Sequence, residues 1–330
     1  MTAPTWEARD YEPMLRERLP AWVEDRLQAS PVRLVGLESL SGGFSSESWM
    51  VKCVYPQGGG TEEIEFVLRW GPPGGIAAPY DIPGQFALLE RLSKTSIPAP
   101  EPLWLERDPR VIGEPFLTMK LVPGEGAARY LPLDEPLREE KRLSHVRALA
   151  SIHGLDWRRY GIDEVLAAPT PETCARVAIH DVVEKVTLRG HGANPDAQRA
   201  ISWLYERTPA RSEVRLIHGD PNHSNYRYEK GDVVAILDWE MAKLSDPLWD
   251  LAFVCTGMAS RFRDQPEAIS QREREIFLGL YQEATGRSLE DLLFWEVLFT
   301  LQSASGNKHP ALARRPPTPS QWPRLQALMA

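Results

Sequence analysis

Residues 216–240 read LIHGDPNHSNYRYEKGDVVAILDWE. Leu216 and Ile217 lead into His218-Gly219-Asp220, Asn225 follows five positions after Asp220, and the apolar run 233–237 delivers Asp238. The pattern predicts a strand, a loop and a second strand that present two carboxylates and one amide at one end of a small sheet. Such a set suits phosphoryl transfer, which needs a carboxylate to meet an acceptor hydroxyl and hard oxygen ligands to hold a divalent cation against phosphates. Asp and Asn also cap turns, and a lone H-x-D would be read that way. Here the amide at its offset, the acid after an apolar run and the downstream stretch DPLWDLAF (246–253) together argue for chemistry.

Outward from this island the chain divides in character. Upstream, 11–28 has the apolar spacing of an amphipathic helix, with a kink or break expected at Pro20. Segments 33–38 and 47–54 flank Ser41-Gly42-Gly43-Phe44-Ser45-Ser46 as a strand–turn–strand hairpin, and 64–69 reads as a third strand. Residues 84–92 read as a helix whose apolar face carries Gln85 together with Leu88, Leu89 and Leu92, while Glu90 points away. SIPAPEP (96–102) reads as an extended crossing, 115–122 as another strand, and 123–126 as a hinge-like break. Beyond it, 136–153, 172–189, 196–207, 267–285 and 290–304 read as helices around the β island. The expected organisation is a small β-rich lobe over 1–122 and a larger, mostly helical lobe over 123–330.

Composition narrows the function classes. The 330 residues carry a formal net charge of −8, which speaks against sequence-independent nucleic-acid binding and against electrostatic attachment to an anionic membrane. The same acidity leaves room for a pocket that takes a cationic substrate. Cys53, Cys174 and Cys255 are far apart and form no C-x-x-C pair, so neither structural zinc nor a disulfide framework is expected. No apolar run suits a membrane span or a signal peptide, and the expected location is cytoplasmic.

The HGD-x-x-x-x-N core followed by DWE and DPLWDLA resembles the aminoglycoside phosphotransferase and choline kinase superfamily, which has a protein-kinase-like fold. FVLRWGPPG (66–74) is similar to its third strand, VIGEPFLTMKLVPGE (111–125) to the strand entering its hinge, and LASIHGLDW (149–157) to the helix before its catalytic loop. YQEATGRSLEDLLFWEV (281–297) looks closest to phosphotransferases related to the kinase domain of acyl-CoA dehydrogenase fusion proteins.

The resemblance implies ATP and Mg²⁺ as cofactors and a small-molecule hydroxyl compound as acceptor: a metabolite such as a hydroxyacyl compound, or an aminoglycoside-like molecule. ATP would lie between the lobes near 122–126. Asp220 would be the catalytic base or hydroxyl-orienting carboxylate, and Asn225 and Asp238 the Mg²⁺ ligands. Ser41, Gly42, Gly43, Arg69 and Gln85 would contact the nucleotide. His218 would brace the loop, and Asp246 and Asp250 would cap and anchor the helix starting near Pro247.

Two positions depart from the kinase pattern. Arg69 stands where a strand Lys meets the phosphates, which changes the geometry and keeps the charge. Gln85 stands where a helix Glu would pair with it, and can offer a hydrogen bond but no ion pair. A nucleotide-binding pseudokinase acting as sensor or scaffold is the rival reading. Gln85 leans towards it, and the intact Asp220, Asn225 and Asp238 set leans against it.

Overall fold

A computed structural model describes residues 11–40, 46–72, 80–261, 267–306 and 320–330. They divide into two compact units. The first takes residues up to Ser93 and Pro100–Val122; the second takes Lys94–Ala99 and the described residues from Pro123 on.

The first unit is a sheet with a helix packed on it. Helix α1 (Glu12–Leu27) buries Leu15, Leu19, Trp22 and Val23, the one-face spacing of an amphipathic helix. Pro20 lies inside this helix without ending it, so of the expected kink or break, the break does not occur. It removes one backbone donor, and the buried residues on either side hold the segment to the sheet.

Strands β1 (Arg33–Ser39), β2 (Glu47–Gln57), β3 (Gly60–Trp70), β4 (Pro102–Glu106) and β5 (Phe116–Lys120) form an antiparallel sheet of order β1-β2-β3-β5-β4. Alternation along β2 buries Trp49, Val51 and Cys53. They join Phe66, Leu68, Trp70 and Phe116 beneath α1. Strand β4 begins at the last residue of the proline-rich crossing, beyond what the sequence pattern predicted. Its register slips between Pro102 and Trp104, and buried Thr118 repairs the edge by accepting from the Trp104 N–H at 3.0 Å. Helix α2 (Ile82–Leu92) is capped by Asp81, whose carboxylate accepts from the Gly84 N–H at 2.9 Å.

The second unit builds helices around two short hairpin-like sheets. Helices α3 (Arg138–Gly154), α4 (Cys174–Leu188) and α5 (Pro195–Glu206) precede the island. Within it, β6 (Arg215–Ile217) pairs antiparallel with β9 (Lys243–Ser245), and β7 (Tyr226–Glu229) pairs with β8 (Asp232–Ile236). The crossing segment joins this unit, with the Pro98 carbonyl accepting from the Ile236 N–H at 2.8 Å. Helices α6 (Leu248–Arg261), α7 (Glu267–Thr285), α8 (Leu292–Ala304) and α9 (Trp322–Met329) complete it. Helix α8 is the most apolar of these; Phe294, Trp295, Val297, Leu298 and Leu301 are buried. Among the described residues no helix is long and apolar enough to cross a membrane.

Candidate active site

The loop after β6 is held open by a glycine and a buried acid. Gly219 has φ +83°, and a Cβ there would fall 2.1 Å from the Met241 carbonyl oxygen, so only glycine fits. Asp250, in the first turn of α6, is fully buried. Its Oδ2 accepts from the His218 N–H at 2.8 Å and its Oδ1 from the Gly219 N–H at 2.9 Å. The α6 acid thus anchors the backbone next to Asp220, and the helix start is capped by Asp246, whose Oδ1 accepts from the Leu248 N–H at 2.9 Å. Burial pushes the Asp246 carboxyl up to about 6.

His218 ties the two ends of the island together. Its Nδ1 accepts from the Asp220 N–H at 3.3 Å, which leaves Nε2–H to donate to the Leu237 carbonyl at 2.8 Å. The Leu237 N–H in turn donates to the Asn225 carbonyl at 2.7 Å. Asp220, Asn225 and Asp238 are therefore brought together, with Asp238 one residue beyond the joint. Arg69 lies on β3 opposite Ser48 of β2 and Leu117 of β5, and Gln85 is half-buried on α2; both belong to the first unit. Ser41, Gly42 and Gly43 lie outside the described residues.

Three donors aim at the Asp220 carboxylate. Asn222 Nδ2 reaches Oδ1 at 2.8 Å, Asn225 Nδ2 reaches Oδ2 at 3.2 Å, and Arg129 Nη2 reaches Oδ1 at 3.3 Å. Asn225 Nδ2 also donates to the Asp220 carbonyl at 2.9 Å. With its amide nitrogen turned to Asp220, the remaining polar atom of Asn225 is the carbonyl oxygen. Asp238 follows β8 in the left-handed region, φ 62°, a conformation that costs free energy outside glycine and that Asp and Asn tolerate best. An amide oxygen beside a carboxylate is a donor set that fits a hard divalent cation. Among the described residues no group of three or more His, Cys, Asp or Glu side chains could hold a metal. A cation on Asn225 and Asp238 would draw its other ligands from phosphates and water, the usual habit of Mg²⁺.

Beneath the loop lies an uncharged aromatic platform. The His145 and His223 rings sit 4.2 Å apart. His145 Nε2 meets the Pro221 carbonyl at 2.9 Å, and His223 Nδ1 meets the Tyr228 hydroxyl at 2.7 Å. Burial pushes His145 down to about 4 and holds His223 well below the ordinary imidazole range, so neither carries charge at neutral pH.

Arg129 was not singled out by the sequence, because 91 positions separate it from Asp220. Its backbone carbonyl accepts from the His223 N–H at 3.1 Å. Its guanidinium lies 5.5 Å from the Phe253 ring centroid. Burial disfavours that charge, but Tyr130, Asp220 and Asp238 together raise the Arg129 pKa above its ordinary value. Asn222 did carry a signal: an Asn in a loop readily closes a turn by accepting from the backbone N–H two residues on, and its Oδ1 accepts from the Ser224 N–H at 3.0 Å.

The model of a family described as "Phosphotransferase enzyme family" matches residues 36–292. Mouse acyl-CoA dehydrogenase family member 10 is 29% identical over 58% of this chain, which spans 18% of that protein. Across the curated relatives the chain spans 18% to 32% of their length. A ternary complex of a thermostable aminoglycoside phosphotransferase APH(4)-Ia mutant with ADP and hygromycin B superposes with a TM-score of 0.61 at 18% identity, covering 94% of this chain and 97% of that one. Choline kinase from Streptococcus pneumoniae gives a TM-score of 0.61 at 14% identity, covering 97% and 99%. The fold is the kinase-like α+β fold of these enzymes.

Proposed function

The chain belongs to the phosphotransferase enzyme family, and from that premise we propose that it moves the γ-phosphoryl group of ATP, with Mg²⁺, onto a hydroxyl of a small molecule. One observation carries the proposal: the Asp220 carboxylate, held by Asn222, Asn225 and Arg129, sits on a loop tied through Leu237 to the strand end that bears Asp238.

In this reading Asp220 receives the acceptor hydroxyl, orients its oxygen towards the γ-phosphorus, and takes its proton as the new O–P bond forms. Asn222 and Asn225 fix the carboxylate plane, so the hydroxyl meets one oxygen in one direction. Asn225 through its amide oxygen and Asp238 through its carboxylate would hold Mg²⁺, which when bound screens the phosphate charges. His218 and Asp250 keep the loop backbone in place without touching substrate. In the first unit, Ser41, Gly42 and Gly43 would receive phosphate oxygens on backbone N–H groups. Arg69 would bring positive charge to the phosphates, and Gln85 would orient it.

The acceptor belongs to the range spanned by the resemblance, from a hydroxyacyl metabolite to an aminoglycoside-like polyol. A screen of Mg²⁺-dependent ATP consumption across aminoglycosides, macrolides, choline-like amines and hydroxyacyl compounds tests the reading. A compound that accelerates consumption in the wild type and not in Asp220→Asn is the expected result. Equal consumption by the two proteins would remove Asp220 from the reaction.

A further inference from the structure

Arg129 has a feature that loop bracing does not explain. Its side chain is 52% exposed, yet the field of both candidate acids, Asp220 and Asp238, falls on it. Its contact with Asp220 is one long hydrogen bond, 3.3 Å through Nη2, and the Tyr130 ring lies 5.9 Å from the guanidinium. A guanidinium carries five N–H donors in a planar fork, so most of this donor capacity is open to a ligand. Its main chain is fastened to the catalytic loop by the His223 N–H, and the Phe253 face supports the guanidinium. A cation with further donors thus lies against the acid that would take the proton, within electrostatic reach of the acid that would hold the metal.

We infer that Arg129 is a catalytic residue of the phosphotransfer, donating N–H groups to the equatorial oxygens of the γ-phosphoryl group as it passes from ATP to the acceptor. The inference rests on the proposed function. The acceptor oxygen forms its bond to the γ-phosphorus, and the bond from that phosphorus to the β–γ bridging oxygen breaks. The acceptor proton goes to Asp220, the electron pair of the broken bond stays on ADP, and Arg129 keeps its own protons throughout. In the resting protein the Arg129–Asp220 contact holds both side chains near this position. On transfer the fork turns its remaining donors to the phosphoryl oxygens, where charge is spread and a planar cation binds best.

The test needs no knowledge of the acceptor. Calorimetry measures the affinity of the full chain for MgADP alone and for MgADP with aluminium fluoride, a planar mimic of the phosphoryl group in flight. The wild type should bind the fluoride complex more tightly. Arg129→Ala should keep MgADP affinity within about threefold and lose at least tenfold of the fluoride increment, a loss in keeping with removal of one charge-stabilising donor. Arg129→Lys should keep part of it, and millimolar guanidinium should restore part of it to Arg129→Ala. An unchanged increment in Arg129→Ala, or no increment in the wild type, overturns the inference. If a screened acceptor shows that Arg129→Ala raises only the acceptor KM, the residue belongs to acceptor binding and the inference also falls. Failure of the wild type to bind MgADP at all would count instead against the proposed function.

Discussion

Asp250→Asn is the perturbation whose consequence the geometry fixes most closely. The carboxylate is an acceptor-only group, fully buried, that takes N–H groups from His218 at 2.8 Å and Gly219 at 2.9 Å on its two oxygens. The His153 Nε2 lies 3.2 Å from Oδ2; because the Tyr281 hydroxyl meets His153 Nδ1 at 2.7 Å, the ring can donate at one end and accept at the other. An amide has only one acceptor oxygen. Turned to keep His218 and His153, it points its NH₂ at the Gly219 N–H, donor against donor. One charge-assisted hydrogen bond, worth roughly 1.5–3 kcal/mol, is lost, and a buried N–H is left unpaired at about 1–3 kcal/mol; these overlap, so the expected cost is about 2–4 kcal/mol. For a chain of 330 residues that is a fall of about 3–6 °C in Tm. Because the strained peptide is the one before Asp220, turnover should fall by about tenfold or more even at temperatures where the protein stays folded. Differential scanning fluorimetry and a turnover assay at 20 °C below the variant's own Tm separate the two effects. A Tm within about 2 °C of wild type with unchanged turnover would refute the cradle as described.

Other perturbations reach the remaining parts of the site. Asp220→Asn should keep ATP binding and lose about 10² to 10⁴ in turnover, as read from product formation with any confirmed acceptor; near-normal turnover would remove Asp220 from its role. In Mg²⁺, nucleotide affinity by calorimetry should fall sharply in Asp238→Ala and less in Asn225→Ala, since a carboxylate brings charge and an amide does not; equal affinities in all three proteins would contradict the donor assignment. Arg69→Ala should weaken ATP binding more than Arg69→Lys, while Gln85→Glu should keep or improve it, and a nucleotide affinity indifferent to Arg69 would show that this strand residue faces elsewhere. His145 gives a pH test: burial lowers its folded pKa to about 4 from the ordinary imidazole value of 6.5, against the Pro221 carbonyl and Asp250, which favour the charge. Its contribution is present above pH 6.5 and is lost as pH falls towards 4, by on the order of 1 kcal/mol per pH unit. The wild-type minus His145→Gln difference in denaturant-derived stability should shrink over that range, and a difference that stays flat would refute the cause.

The parts legible in the sequence were those written in short spacings. The island 216–240 carries its loop glycine, both acids and the amide within one stretch, and period-two and period-3.6 patterns located β1, β2 and β3 and the helices α3, α4, α5, α7 and α8 within a few residues. Proline shaped two readings. Of the kink or break expected at Pro20, the break does not occur, because tertiary burial of Leu19, Trp22 and Val23 carries the helix through it; and β4 went unread after the Pro-rich crossing, where Pro102 lacks the N–H that would pair with β5. Contacts of high sequence separation left no trace: Arg129 meets Asp220 across 91 positions, and Asp250 reaches back 32 positions to His218. The motif containing Asp250 was visible, but its role was expected at the helix start; only the folded geometry turns its carboxylate onto the loop backbone. Helix α9, short and beyond a proline-rich stretch, was missed for want of a full period of apolar spacing.

In the proposed reaction Asp220, on its anchored loop, directs an alcohol onto the γ-phosphorus of MgATP. Phosphorus NMR of the wild-type chain with MgATP and the acceptors from the consumption screen reads this directly, because a phosphate monoester has its own resonance, distinct from inorganic phosphate. A growing monoester signal matched by ADP is expected for at least one alcohol, absent without Mg²⁺ and reduced by about 10² or more in Asp220→Asn. ADP accompanied only by inorganic phosphate, or a monoester formed equally by Asp220→Asn, would contradict it.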